Sequence, residues 1–167
     1  IIRLREKLGF SVIFITHDLS LLLELADYVA IMYAGRIVEK ASRRDLHQHP
    51  RHPYSYGLLH SFPALHGPRR KMSGIPGSPP DLRAVPPGCA FHPRCPFALD
   101  ACHTVLPLLH TVESTRGEMV NDAVDARSDQ TDQLVACHLY DPRFSAEPPT
   151  TSDLARKYEA LAEKSGA

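Results

Sequence analysis

Neither sign of charge is in excess in this sequence. Its 167 residues carry 19 Lys and Arg against 19 Asp and Glu, which leaves no electrostatic case for nucleic acid or an anionic membrane surface as partner. A secretory leader is not expected, because Arg3, Arg5, Glu6 and Lys7 interrupt any apolar core at the start. A membrane span is not expected either. The longest apolar region, Leu21 to Ala34, contains Glu24 and Asp27 and is too short to cross a bilayer. No phosphate-cradling G-x-x-x-x-G-K-[ST] loop occurs anywhere. These absences predict a soluble, intracellular chain with no direct membrane insertion. Cysteine is scarce, at four residues, and in a reducing compartment a clustered set favours metal over disulfides.

What is present falls into two unlike halves. Ile1 to Leu8 reads as the last turns of a helix closed by Gly9. Ser11 to Thr16 is a continuous β-branched and aromatic run, the pattern of a strand buried on both faces. His17 and Asp18 follow at once, and Asp18 or Ser20 is placed to cap a helix through Ala26. Leu19, Leu22, Leu23 and Ala26 share one face of it. Tyr28 to Tyr33 reads as a second strand, turned by Ala34 and Gly35 into a hairpin partner beginning at Arg36. Helix, buried strand, helix and strand pair suggest the end of an α/β domain whose beginning is missing. His17 draws notice because open α/β sheets place ligand-contacting groups just past the carboxyl ends of strands. The plainer alternative is a histidine that hydrogen-bonds the next helix terminus.

The order Phe14-Ile-Thr-His-Asp-Leu19, Ala26-Asp27 and Met32-Tyr-Ala-Gly-Arg-Ile-Val-Glu39 closely resembles the end of the ATP-binding subunits of ABC transporters. The resemblance implies that His17 is the switch histidine, which contacts the ATP γ-phosphate and helps position the attacking water. The S-G-G-Q signature and the strand ending in an Asp-Glu pair, which with the phosphate loop complete that machinery, are not in the sequence.

The middle of the chain narrows the resemblance. All 15 prolines lie from Pro50 onward, so this half is expected to be loop-rich. Ser42 to His47 reads as a short helix, and a second starts at Pro53, a favoured first-turn position. Its apolar residues are Tyr54, Leu58, Leu59 and Phe62. His47, His49 and His52 flank a proline and read as a solvated connection rather than a metal site. Residues 52 to 63 resemble the H-P-Y-T-x-x-L-L-x-x-x-P segment of the oligopeptide and dipeptide importer branch, with Ser55 in place of Thr.

The cysteines are spaced C-x5-C-x6-C-x34-C, as Cys89, Cys95, Cys102 and Cys137. Neither paired zinc knuckles nor ferredoxin-type runs have this spacing, so spacing alone leaves the metal open. Buried free thiols are the competing reading. The residues around the cysteines resemble the C-terminal appendage of peptide-importer ATPases, which implies a [4Fe–4S] cluster on these four thiols. Tetrahedral zinc is the alternative.

The resemblance implies an α/β chain: the C-terminal remnant of a P-loop ABC ATPase domain (1–48), a peptide-importer-type helix (49–66) and a Pro/Gly linker (67–88). A small irregular cysteine-rich, metal-binding appendage (89–140) and a flexible tail (141–167) follow, the tail carrying a short helix from Leu154 to Glu163. A polar excursion over 114–133 precedes the return of Leu134 to Cys137 as a strand. The implied partners are a second ATP-binding subunit and membrane permease subunits at the cytoplasmic face of the membrane. ATP and Mg²⁺ belong only to the complete parent, which would be a transport ATPase. A stand-alone metal-binding module and a truncated, non-functional product are the other readings. The purified chain is expected to show no ATP hydrolysis above buffer, and turnover lost on His17→Ala would overturn that expectation.

Overall fold

In the computed structural model, residues 1–61, 74–112 and 133–165 are described. Phe62 and the greater part of the expected polar excursion lie outside them. The described chain mixes helices with one four-stranded antiparallel sheet of order β1-β2-β4-β3. The strands are β1 (Tyr28–Tyr33), β2 (Arg36–Ser42), β3 (His110–Val112) and β4 (Gln133–Val135). Helices α1 (Ile2–Leu8), α2 (Leu19–Leu25), α3 (Arg43–Gln48), α4 (Pro53–His60) and α5 (Thr151–Ser165) surround it.

The local signals in the first half act as their chemistry suggests. Gly9 closes α1 in the left-handed conformation. Asp18 caps α2 by accepting from the Leu21 amide at 3.2 Å. Ala34 and Gly35 both take positive φ, the geometry of a primed hairpin turn, and β1 pairs with β2 through Tyr28 opposite Ser42. The Ser42 side chain then caps α3, accepting from the Asp45 amide at 3.0 Å. Alternation along β1 sends Val29, Ile31 and Tyr33 inward. There they meet Leu19, Val38, Ala41, Leu46 and Phe91 in one core.

One expected element does not form. Residues 11–16 make no strand, and Ile13 and Ile15 are 94% and 92% exposed. A strand buried on both faces needs neighbours on each edge and a layer on each face. The described chain supplies neither, so these apolar side chains stay in solvent. The described fold is a mixture of helices and sheet whose strands pair only antiparallel, consistent with the C-terminal region of an ABC ATPase domain.

The 49–52 connection also differs from expectation. His52 is 1% exposed rather than solvated. Its Nδ1 accepts from the Tyr54 amide at 3.0 Å and so caps α4, while its Nε2 has no partner. Beside it lies Glu39 of β2, fully buried. The Arg51 amide donates to Glu39 Oε1 at 2.7 Å, and the His52 amide donates to Oε2 at 3.0 Å. The Gln133 side-chain amide, at the start of β4, donates to Oε1 at 2.6 Å and to the His49 carbonyl at 3.0 Å. The Ser55 hydroxyl lacks a partner of standard geometry yet faces the carboxyl closely enough to favour its ionised form. Burial is the larger influence and raises the Glu39 pKa. This carboxyl ties the hairpin, the 49–52 connection and β4 together.

Residues Thr151–Ser165 form α5, the docking-helix reading of the tail. Thr150 and Asp153 form a reciprocal cap: the Thr150 amide donates to Asp153 Oδ2 at 3.0 Å, and the Asp153 amide donates to Thr150 Oγ1 at 3.2 Å. Leu154 and Tyr158 are essentially fully buried against Tyr56 of α4, which outweighs the entropy that would otherwise leave such a terminus loose. The helix packs α4 on the side away from Tyr54, Leu58 and Leu59, so α4 is covered on both sides.

Burial pushes the His52 pKa from its ordinary 6.5 down to about 3. The folded value lies below the unfolded one, so the unfolded chain takes up a proton first as pH falls between these values. Stability on this account is fully present above pH 6.5 and is lost on acidification through that window. His52→Asn keeps a capping acceptor without a titrating ring. It should flatten the acid-side decline measured by denaturant unfolding by about 1.4 kcal/mol per pH unit; an unchanged slope would show that His52 does not titrate this way.

Candidate metal centre

The four cysteines come from two stretches of chain, the loop over 89–102 and the end of β4 at Cys137. Gly88 starts the arrangement with φ +67°, and the Cys89 amide donates to the Cys102 carbonyl at 2.9 Å. A Cβ at position 88 would collide with the Cys102 carbonyl oxygen and lie 2.8 Å from the Thr104 nitrogen. Only glycine lets these two backbones touch with that φ. One turn of 3₁₀ helix, His92–Arg94, carries the chain to Cys95, and a second, Asp100–His103, contains Cys102. Cys137 follows β4, whose pairing with β2 places Val135 opposite Glu39.

Two side chains anchor the loop between the thiols. Phe91 is 1% exposed, in edge contact with Tyr33 at 5.3 Å between ring centroids. Arg94 Nε donates to the Pro76 carbonyl at 2.7 Å, and its Nη1 donates to the Tyr33 hydroxyl at 3.2 Å. The cysteine loop is thereby bolted to β1 and to the end of the Pro/Gly-rich stretch.

The Leu99 amide donates to Cys102 Sγ at 3.4 Å. Backbone N–H groups favour the charged form of the other thiols: those of Phe91 and His92 at Cys89, that of Phe97 at Cys95 and that of Leu139 at Cys137. Such bonds favour thiolate and are the outer-shell support that thiolate ligands carry. Burial acts the other way and dominates. It raises Cys89 and Cys102, pushes Cys95 up to about 12, and lifts Cys137 well above the ordinary thiol range. The thiols also perturb one another: Cys137 is raised by Cys95, Cys89 and Cys102. Burial of these thiols disfavours negative charge on them unless a cation compensates it. Among the described residues, no three His, Cys, Asp or Glu side chains are gathered as a group that could hold a metal ion.

The histidines nearby are used otherwise: His92 Nδ1 is 2.8 Å from the Cys89 carbonyl, and His138 Nε2 is 2.8 Å from the Val105 carbonyl. His17 lies apart from all this, exposed at the end of the unpaired 10–16 segment and immediately before α2. Three of the expected ligands thus lie in one loop and the fourth just past β4, but among the described residues they form no group able to hold a metal ion, and His17 lies exposed before α2.

Residues 38–102 match the family described as the oligopeptide/dipeptide transporter, C-terminal region. The chain corresponds to the C-terminal part of the ATP-binding subunits of such transporters. It is 47% identical over 111 residues to the oligopeptide transport ATP-binding protein AppD of Bacillus subtilis, an alignment covering 66% of this chain and 34% of that protein. Against the oligopeptide transport ATP-binding protein OppD of Salmonella typhimurium the identity is 44% over 105 residues, covering 63% and 31%. Against OppD of Mycobacterium bovis it is 39% over 152 residues, covering 89% and 24%. The chain spans about a third or less of the length of these relatives. Among the described residues no helix is long and apolar enough to cross a membrane.

Gly88→Ala should lower stability by about 3 kcal/mol or more, combining left-handed strain with a backbone collision. Gly35→Ala, at φ +78° with open space around it, should show the strain alone. Equal losses of Tm in the two variants would refute the close-approach role of Gly88.

Proposed function

We propose that this chain is the C-terminal region of the ATP-binding subunit of a peptide ABC importer and that its four cysteines hold a [4Fe–4S] cluster. The first part rests on the match over residues 38–102 and on relatives named as oligopeptide transport ATP-binding proteins. The complete subunit would bind ATP and Mg²⁺ and drive peptide uptake at the cytoplasmic face of the membrane. It would work with a second ATP-binding subunit and with membrane permease subunits. In that setting His17 would contact the γ-phosphate. The segment held here lacks the phosphate loop and the magnesium ligands, so alone it would not hydrolyse ATP. The segment limits at 48, 66, 88 and 140 are part of the same reading.

What supports the second part is the chain's whole cysteine set, with Cys102 and Cys137 buried and Cys89 and Cys95 half-buried, and the backbone N–H groups that favour their thiolates. A cubane takes one thiolate per iron and so spreads its ligands over the corners of a cluster. A single zinc would draw all four sulfurs to about 2.3 Å from one point and is the second reading. The cluster would supply positive charge and a one-electron redox centre. The chain's own contribution is to bury the thiols, orient them through N–H···S bonds and tie β4 to the loop that carries the other three.

Protein prepared anaerobically should be brown, with broad absorption near ~400 nm and iron and sulfide in cluster stoichiometry. Cys137→Ser should remove the colour. Colourless protein containing one zinc per chain would sink the iron–sulfur assignment.

A further inference from the structure

We propose that the buried step Pro50-Arg51-His52-Pro53 is a rigid coupler, through which the seating of β4 and the docking of α5 depend on each other. Nothing in it depends on what the cysteines hold.

The step joins α3 to α4 and is stiff by composition. Both prolines are fully buried, and each fixes its own φ while restricting the residue before it. The two amides between them are spent on one carboxyl, that of Arg51 on Glu39 Oε1 and that of His52 on Oε2. Residues held in this way move together.

Both C-terminal elements are fastened to the step. β4 is fastened through Gln133, whose side-chain nitrogen donates to Glu39 Oε1 at 2.6 Å and whose oxygen accepts from Arg51 Nε at 3.4 Å. Its amide spans a guanidinium and a carboxyl, with the oxygen toward the first and the nitrogen toward the second. α5 is fastened twice. The Tyr158 hydroxyl donates to the Pro53 carbonyl at 2.8 Å. A Cβ on Gly57 would stand 3.0 Å from that hydroxyl, so position 57 is kept bare where Tyr158 lies down on α4. The second fastening runs through Arg51, whose guanidinium lies over the Tyr140 ring, 5.8 Å from its centroid. The Tyr140 hydroxyl donates to the Pro149 carbonyl at 3.1 Å, one residue before the Thr150 that caps α5. Arg51 and Tyr158 are 7% and 1% exposed, so cutting one of their links leaves a buried polar group unsatisfied.

An apolar connection joins the same elements. Phe97 packs against the cluster that contains Val135 of β4 and against the one that contains Leu154 and Tyr158 of α5. A change confined to the polar group of Gln133 leaves those side chains in place, which separates the two routes.

Hydrogen–deuterium exchange of the full chain, read peptide by peptide, tests the coupler. Gln133→Met should lower the protection of α5 by roughly threefold or more, toward the low end for groups that share one network, with β1 unchanged. Tyr158→Phe should lower the protection of β4 by a similar factor, because coupling between two sites is reciprocal. Arg51→Met added to Gln133→Met should lower α5 protection by less than the product of the two single effects. Unchanged α5 protection in Gln133→Met, or a loss shared equally by β1, would overturn the coupler. Single effects that multiply would overturn it too, since β4 would then act on α5 through Phe97.

Discussion

The fold depends on a carboxylate placed where water does not reach. Glu39 sits in the middle of β2 with its side chain directed inward, and its burial would be costly without donors. Those donors come from two backbone amides of the 49–52 connection and from the Gln133 side chain, 94 residues away. Removing any one of them leaves an acceptor in a dry site and a segment without its anchor. The demand for satisfaction thereby specifies how three distant pieces of chain meet, which apolar packing alone would leave looser.

The cysteine region extends the same assembly. β4 reaches Gln133 to Glu39 at its start and runs into Cys137 just past its end, so the position of the fourth thiol is inherited from the buried carboxyl. Phe91 does the equivalent for the other three, filling a slot between Tyr33 and Tyr54. The sheet runs from the hairpin into the cysteine segment without a break. The thiols are held by packing on the hairpin as much as by one another.

How much of this was legible follows from the range of each interaction. Helix caps at Asp18 and Ser42, the hairpin turn at Ala34-Gly35 and the proline start of α4 are local, and the sequence displays them directly. The cysteines announce themselves by clustering. The unpaired 10–16 segment misleads because its pattern specifies a buried strand while its partners are not among the described residues. The tail is legible in part: Leu154 and Tyr158 were visible as one face, but the bare position at Gly57 that receives Tyr158 was not. Glu39 reads as an ordinary polar residue of a hairpin strand until Gln133 is known to lie opposite. One signal was present and unused. Cys89-Ala-Phe91, Cys95-Pro-Phe97 and Cys137-His-Leu139 share a cysteine followed two residues later by an apolar side chain whose amide turns to the sulfur.

The long reach between Glu39 and Gln133 also sets an order of events in time. β1 and β2 close a local hairpin within microseconds of being available, whereas the pairing of β4 waits on a far larger loop. During synthesis at about 5–20 residues per second, Cys89, Cys95 and Cys102 emerge roughly 2–10 s before Cys137. For that interval the nascent chain holds three thiols and a finished hairpin edge, with Glu39 still lacking its Gln133 donor. Completion of the sheet and completion of the thiol set are then one step, taken when a single short strand arrives.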